Sequence, residues 1–298
     1  MMTIDHRPAA AALGVFDGVH LGHRSVVERA AGFGFCCAVT FQAETMPQKH
    51  GCPLRFIYGD EQRIRLLKQC GADSVTVLPF DEISGMDGES FCRELLVNRL
   101  HVSCVVCGVD FRFGKGASCG TKELASFGEK LGFRAETVPQ VLDPNGLSVS
   151  SSRIRSMLES GNLRAANRLL GQDYEICTKV VSGRQEGRTL GAPTANQLFA
   201  GWQCIPKFGV YASFAEIDGV RIPSITSIGV RPTLTDGNGE PVAETHLIGW
   251  QGYLTGTVLP VTLTDYLRGE QRFDSKAALI RQIRDDIRKR TELLSAGK

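Results

Sequence analysis

Up to about residue 172 the chain alternates short apolar runs with segments whose apolar positions recur at helical spacing. The runs Ala11 to Phe16, Phe35 to Phe41, Ser74 to Leu78, Ser103 to Cys107 and Arg134 to Val138 read as strands, and Glu61 to Cys70, Glu89 to Leu100 and Lys122 to Leu131 read as helices. Such alternation predicts an α/β, Rossmann-like unit with a parallel sheet covered on both faces, whose ligands bind beyond the carboxyl ends of the strands. A helix over Arg153 to Leu170 is expected to stop at Gly171. The texture then changes. From Glu175 onward strand patterns follow one another across turn signals: Gly209 to Glu216, Asp218-Gly219, Arg221 to Ile228, Asp236 to Gly239, Val242 to Trp250, Gln251-Gly252 and Thr257 to Leu267. This predicts a small antiparallel β-barrel, closed by a C-terminal helix over Ser275 to Leu294 with Leu279, Ile280, Ile283 and Ile287 at helical spacing. The boundary implied is 1–172 and 173–298, and a fragment from Gln172 is expected to fold alone.

The length of 298 residues suits two such domains, and 34 Lys+Arg against 32 Asp+Glu leaves a net charge of +2. No strongly basic surface is implied, so nucleic acid is not an expected partner. Arg281, Arg284, Arg288, Lys289 and Arg290 read as a solvated helix face interrupted by Asp285 and Asp286. The longest apolar run, Ala9 to Phe16, is far shorter than a membrane helix requires, and the first residues lack a signal-peptide pattern, so a cytoplasmic protein without a membrane partner is expected. The ten cysteines lie mostly in apolar segments, as reduced core residues do. Cys104 and Cys107 have C-x-x-C spacing, but on a strand they face opposite ways and cannot share a metal.

Directly after the first strand stands Phe16-Asp17-Gly18-Val19-His20-Leu21-Gly22-His23, leading into a helix. Glycines let backbone approach a ligand, while a helix N-terminus and two imidazole donors favour anions such as an ATP triphosphate. Val149-Ser150-Ser151-Ser152-Arg153-Ile154-Arg155 sets hydroxyls and guanidinium groups at another helix start, a second phosphate-binding pattern and at the same time an ordinary serine cap. Gly108-Val109-Asp110-Phe111-Arg112-Phe113-Gly114 follows a strand and fits neither common nucleotide fingerprint.

In the second half, Gly183-Arg184-Gln185-Glu186-Gly187-Arg188-Thr189-Leu190-Gly191-Ala192-Pro193-Thr194-Ala195-Asn196 combines a glycine-rich stretch with two oxygen-bearing side chains two residues apart, on one face if extended. Hard oxygen donors beside phosphates suit Mg²⁺. Glu244 and His246 likewise share one face of a strand, and a carboxylate suits the orientation of an alcohol during phosphoryl transfer.

In order and over essentially the whole chain, these segments resemble the bacterial bifunctional riboflavin kinase/FMN adenylyltransferase (FAD synthetase) family. The first half matches F-D-G-V-H-x-G-H, G-x-[DN]-F-x-F-G and S-S-[ST]-x-I-R; the second matches G-R-x-L-G-x-P-T-A-N, with Ile228 to Thr233, Glu244-Thr245-His246 and Tyr266 to Phe273 as later segments. The resemblance implies a nucleotidyltransferase domain followed by a riboflavin kinase domain. ATP and Mg²⁺ would serve both, with riboflavin, FMN and FAD as substrates and products, in a monomer or weak homo-oligomer. By resemblance His20 and His23 stabilise phosphate charge, with Gly18, Gly22, Ser151 and Arg155 around the phosphates and Asp110 and Phe111 near the flavin. In the kinase, Glu244 is the general base, Gly187, Arg188, Gly191 and Thr194 meet ATP, Thr194 and Asn196 meet Mg²⁺, and Arg268 meets the flavin. Two departures fall in the first half: Ala43-Glu44-Thr45 replaces the family's Pro-His-Pro, and Lys115 to Gly120 lacks an arginine common there. Both remove donating groups from a phosphate site, so FAD formation is expected to be the weaker activity. The alternative is a riboflavin kinase with a largely inactive adenylyltransferase domain.

Overall fold

The computed structural model describes residues 10–46, 55–182, 194–231 and 239–296. They form two compact units, Met1–Ser151 and Ser152–Lys298.

In the first unit, β1 (Ala10–Leu13), β2 (Cys36–Phe41), β3 (Ser74–Leu78), β4 (Cys104–Gly108) and β5 (Arg134–Val138) make a parallel sheet in the order β3-β2-β1-β4-β5. The central strand Ala10-Ala11-Ala12-Leu13 is buried along its whole length, as a strand covered on both faces must be. Small alanines there let α1 (Leu21–Ala31) pack closely on the sheet through Val26, Val27 and Ala30. Further helices are α2 (Asp60–Gln69), α3 (Phe80–Ser84), α4 (Gly88–Ser90) and α5 (Thr121–Leu131). The helix expected over Glu89 to Leu100 is a short α turn that continues as a π-helix from Phe91 to Arg99. Because the chain runs outward from β1 to β3 and then returns to β4, the switch in strand order lies between β1 and β4, whose carboxyl ends are where open α/β sheets bind ligands.

The second unit begins with α6 (Ser151–Ser160) and α7 (Leu163–Leu170), where the sequence predicts one helix. Gly161, at φ 82°, breaks it, and Gly171, at φ 71°, ends the second piece as expected. Six antiparallel strands follow: β6 (Tyr174–Val181), β7 (Thr194–Leu198), β8 (Gly209–Ile217), β9 (Val220–Arg231), β10 (Glu240–Leu247) and β11 (Val258–Arg268). They close a barrel in the order β10-β7-β6-β11-β8-β9. Asp218-Gly219 is the tight turn between β8 and β9, both residues at positive φ. The turn expected at Asp236 to Asn238 and the glycine-rich stretch 183–193, with Gly187, Arg188 and Gly191, lie outside the described residues.

The last helix, α8 (Lys276–Ala296), corrects one expectation. Arg290 is not on a solvated face; it is 2% exposed, with its guanidinium 4.2 Å from the centre of the Phe214 ring and Nη2 donating to the Ser213 carbonyl at 3.0 Å. Asp286, one turn earlier, is 1% exposed and accepts from Arg268 of β11. The helix therefore meets the barrel through a charged pair of positions as well as its half-buried Leu279, Ile280, Ile283 and Ile287.

Candidate active site

Between β1 and α1 the backbone makes a strained turn: Phe16 at φ 50°, Gly18 at 83° and Val19 at 43°. A β-branched residue at positive φ is costly and persists only where its surroundings over-determine it. Here the Asp17 carboxylate accepts from the Ile57 amide at 2.7 Å, and the Ser151 hydroxyl donates to the Asp17 carbonyl at 2.8 Å. The turn delivers His20 as the N-cap of α1, where its Nδ1 accepts from the His23 amide at 3.3 Å. That bond leaves the proton of neutral His20 on Nε2, as a donor.

The His20 and His23 rings stack with centroids 3.6 Å apart, and Phe16 meets His23 edge-on at 5.4 Å. Burial holds the His23 imidazole well below the ordinary histidine range, reinforced by His20 and then by the positive charge of Arg63. Its Nδ1 is buried without a hydrogen-bond partner among the described residues. His23 thus stands as a neutral imidazole behind His20 at the positive end of a helix, where N–H groups favour an anion.

The other residues singled out in this unit follow neighbouring strands. Asp110 is exposed just past β4, next to β1 in the sheet, and Phe111 is half-buried and stacked on Phe113 at 5.8 Å. Gly22 lies in the first turn of α1 beside the His20 ring; a Cβ there would stand 3.3 Å from it. Ala43–Thr45 is a 3-10 turn past β2, pinned where the Ala43 amide donates to Asp60 at 3.1 Å and the Phe80 amide to the Thr45 hydroxyl at 2.8 Å. Glu44 itself is exposed. In water-like surroundings two unit charges about 4 Å apart interact by only about 1 kcal/mol, so an exposed carboxylate at that distance from a phosphate would oppose it by less than about tenfold. Arg155 lies on α6 in the second compact unit, its guanidinium donating to the Ser152 hydroxyl at 3.0 Å.

In the barrel, strand register does the assembling. Glu244 of β10 is directly opposite Asn196 on β7 and Ser227 on β9; His246 is opposite Thr194 and Ile225. Because side chains alternate, Thr194, Asn196, Glu244 and His246 share one face, with Cβ atoms of facing pairs about 4.5–5.5 Å apart. The opposite face is interior: Ala195, Ala243 and Thr245 are buried. Thr245 continues into a chain of buried hydroxyls, 2.9 Å to Thr226, 2.8 Å from there to Ser213 and 2.9 Å on to Ser224. A satisfied interior network of this kind fixes the strands carrying the functional face. Asn196, itself buried, donates from its amide nitrogen to the Thr194 carbonyl at 3.4 Å, which leaves its oxygen as an acceptor. That oxygen, the exposed Thr194 hydroxyl and the Glu244 carboxylate are the hard donors Mg²⁺ prefers, so the residues present fit the ion.

Arg268 is placed differently from a simple flavin ligand. Its Nε and Nη2 engage Asp286 at 3.0 and 2.8 Å, Nη1 donates to the Gly269 carbonyl at 3.0 Å, and the guanidinium lies 5.9 Å from the Phe273 ring centre. Sequence reasoning missed Arg63 and Thr40 beneath the histidine turn and Asp286 and Arg290 beneath the barrel. For the two arginines the available signal was spacing, since Arg63 lies three and four residues before Leu66 and Leu67 and Arg290 three after Ile287.

Comparison with known proteins matches both units. The FAD synthetase family model covers residues 2–153 and the riboflavin kinase family model covers residues 170–294. A bifunctional riboflavin kinase/FMN adenylyltransferase of Pseudomonas fluorescens is 34% identical over 295 residues, which is 95% of this chain and 92% of that one. The protein of the same name from Escherichia coli (strain K12) is 33% identical over 289 residues, covering 92% of this chain and 90% of that one. A crystal structure described as a macrolide-efflux protein from Streptococcus pneumoniae superposes with a TM-score of 0.80 at 26% identity, over 93% of this chain and 92% of that one. The likeness is one of fold; among the described residues no helix is long and apolar enough to cross a membrane. With both halves matched, a kinase carrying an idle first half is not favoured, and the chain belongs to the bifunctional riboflavin kinase/FMN adenylyltransferase family.

Proposed function

We propose that the two activities of the family, phosphorylation of riboflavin to FMN and adenylylation of FMN to FAD, are carried by the Glu244 row of the barrel and by the His20–His23 turn respectively. ATP is the donor in both, and Mg²⁺ accompanies it. The boundary between the working domains is assigned to 172/173. Reduced, buried cysteines and the absence of any expected membrane element suit action in the cytoplasm on small molecules alone, as a monomer or weak homo-oligomer.

In the kinase, Glu244 takes the proton from the ribityl 5′-hydroxyl as that oxygen attacks the γ-phosphorus and ADP leaves. His246, two residues on and facing the same side, orients the carboxylate. Thr194 and Asn196 would hold Mg²⁺, whose charge offsets that of the phosphates, and Gly187, Arg188 and Gly191 bind ATP. Arg268 serves the flavin by fixing, through Asp286, the corner that carries Phe273.

In the adenylyltransferase, an FMN phosphate oxygen attacks the α-phosphorus and pyrophosphate leaves, so no side chain need become covalently bound. Catalysis is positioning and electrostatics. His20 donates from Nε2 and His23 backs it. Gly18 and Gly22 let the backbone approach, Ser151 and Arg155 hold the terminal phosphates, and Asp110 and Phe111 border the flavin.

The observation that carries this reading is the register that sets Asn196 and Thr194 opposite Glu244 and His246. Glu244→Gln keeps size and removes basicity, and is expected to slow FMN formation by about 10²-fold or more while FAD formation from supplied FMN continues. Wild-type FMN formation by this variant would refute the assignment.

A further inference from the structure

Arg63, on α2, is 0% exposed and is, with Arg290, the largest fully buried side chain among the described residues. Its Nη1 donates to the Val15 carbonyl at 2.7 Å and to the Thr40 hydroxyl at 2.8 Å; its Nη2 donates to the Phe41 carbonyl and to Asp60, both at 2.5 Å. The guanidinium also lies 5.0 Å from the Phe56 ring centre. Thr40 in turn donates to the same Val15 carbonyl at 2.7 Å. Burying a guanidinium is expensive, and Asp60, its ion-pair partner, is itself 33% exposed. A general packing role would be met more cheaply by an apolar side chain. What an arginine alone supplies is a planar fork with enough donors to satisfy separate backbone acceptors at once.

Those acceptors are specific. Val15 is the residue immediately before the strained Phe16–Val19 turn that delivers His20, and Phe41 is the last residue of β2, immediately before the Gln42–Thr45 segment. The same guanidinium therefore ties the carboxyl ends of two adjacent strands at the edge where the histidine turn emerges. Substrate cannot reach a side chain with no exposed surface.

We infer that Arg63 is a positioning residue for adenylyl transfer: with Thr40 as its intermediary it locks the ends of β1 and β2 together and holds the His20–His23 turn in the conformation that meets the phosphates. The inference rests on the reading of that turn as the phosphate site.

The test uses the full chain, with FAD formation from FMN and FMN formation from riboflavin measured on each preparation. Arg63→Lys keeps a cation, but a single nitrogen cannot serve Val15, Thr40, Phe41 and Asp60 together. Thr40→Val removes the intermediary hydroxyl, whereas Thr40→Ser retains it. The expected result is a fall in kcat for FAD formation of about 10- to 100-fold in Arg63→Lys and Thr40→Val, with the KM for ATP held within about twofold. Thr40→Ser should recover most of the rate, and kcat for FMN formation should be unchanged in all three. Wild-type kcat for FAD in folded Arg63→Lys and Thr40→Val would overturn the inference, as would equal losses in Thr40→Ser and Thr40→Val. If Arg63→Lys does not fold, the Thr40 pair decides by itself. His20→Ala and His23→Ala are assayed alongside. If they retain FAD formation, the phosphate reading fails; if they lose it while the Arg63 and Thr40 variants do not, only the present inference fails.

Discussion

The buried histidine stack makes the first unit sensitive to acid in a way that can be worked through. In the unfolded chain His23 titrates near 6.5; in the folded protein burial, the His20 ring 3.6 Å away and the Arg63 charge hold it well below that. Between the two values the unfolded state carries a proton that the folded state does not, so stability rises with pH through this window. It is fully present above about 6.5 and is lost as pH falls toward the folded value. Each pH unit within the window removes up to about 1.4 kcal/mol, so stability followed from pH about 6.5 down to about 5 should fall as the solution is acidified. His23→Gln, which cannot take up the proton, should flatten that dependence while being less stable at neutral pH. Tryptophan fluorescence is the wrong probe, because Trp202 and Trp250 both belong to the second unit. Hydrogen exchange of the Cys36–Phe41 amides in urea, corrected for intrinsic rates, reads the correct one. If wild type and His23→Gln lose equal stability over that range, the stack is not the acid-sensitive element and His23 titrates normally.

Two further outcomes follow from the barrel. Asp286→Asn strips the counter-charge from Arg268, whose side chain is 14% exposed, and should cost about 3 kcal/mol and lower the melting temperature of the second unit, with weaker riboflavin binding as the Phe273 corner loosens; unchanged melting would show that the pair is incidental. A fragment of residues 152–298 should fold and make FMN, whereas one of 172–298 loses Leu163, Leu169 and Leu170, all buried on α7, at about 1.5–3 kcal/mol each; equal urea midpoints for the two fragments would refute this.

Much of the architecture was legible because burial imposes period on sequence. A parallel strand covered on both faces must be largely apolar, as Ala10–Leu13 and, but for Thr40, Cys36–Phe41 are, and β3 and β5 fall where the apolar runs predict them. Thr194, Asn196, Glu244 and His246 were legible in part: spacing by two puts each pair on one face, but nothing local says that β7 and β10 are neighbours in that register. What sequence hides is the fate of charged side chains whose partners are distant. Arg63 binds Val15, 48 positions away, and Arg290 binds Ser213, 77 positions away. Both stand at helical spacing from apolar residues, Arg63 from Leu66 and Leu67 and Arg290 from Ile283 and Ile287, but a charge there reads as the edge of the stripe until its distant acceptors are known. The single helix expected from Arg153 to Leu170 fails for a local reason, since an isolated glycine within a helical pattern can be tolerated, and only the φ of 82° at Gly161 decides.

The hidden charges and hydroxyls have a common logic. On a strand, a residue between two functional ones must face the other way, so placing Glu244 and His246 outward commits Thr245 to the interior, where an unmet hydroxyl would cost about 1–3 kcal/mol. The barrel meets that demand by carrying the hydroxyl chain on through Thr226 to Ser213 and Ser224, and Arg290 caps the carbonyls of the last two. In the first unit the strained turn ahead of His20 leaves the Val15 carbonyl facing inward, and Arg63 and Thr40 meet it. Neither reaction requires a covalent enzyme intermediate, so both depend on how rigidly a few donors and acceptors are held. The polar groups behind each proposed functional surface would supply that rigidity, and conservative changes at Thr40 and Arg63 should alter kcat for FAD formation more than the KM for ATP.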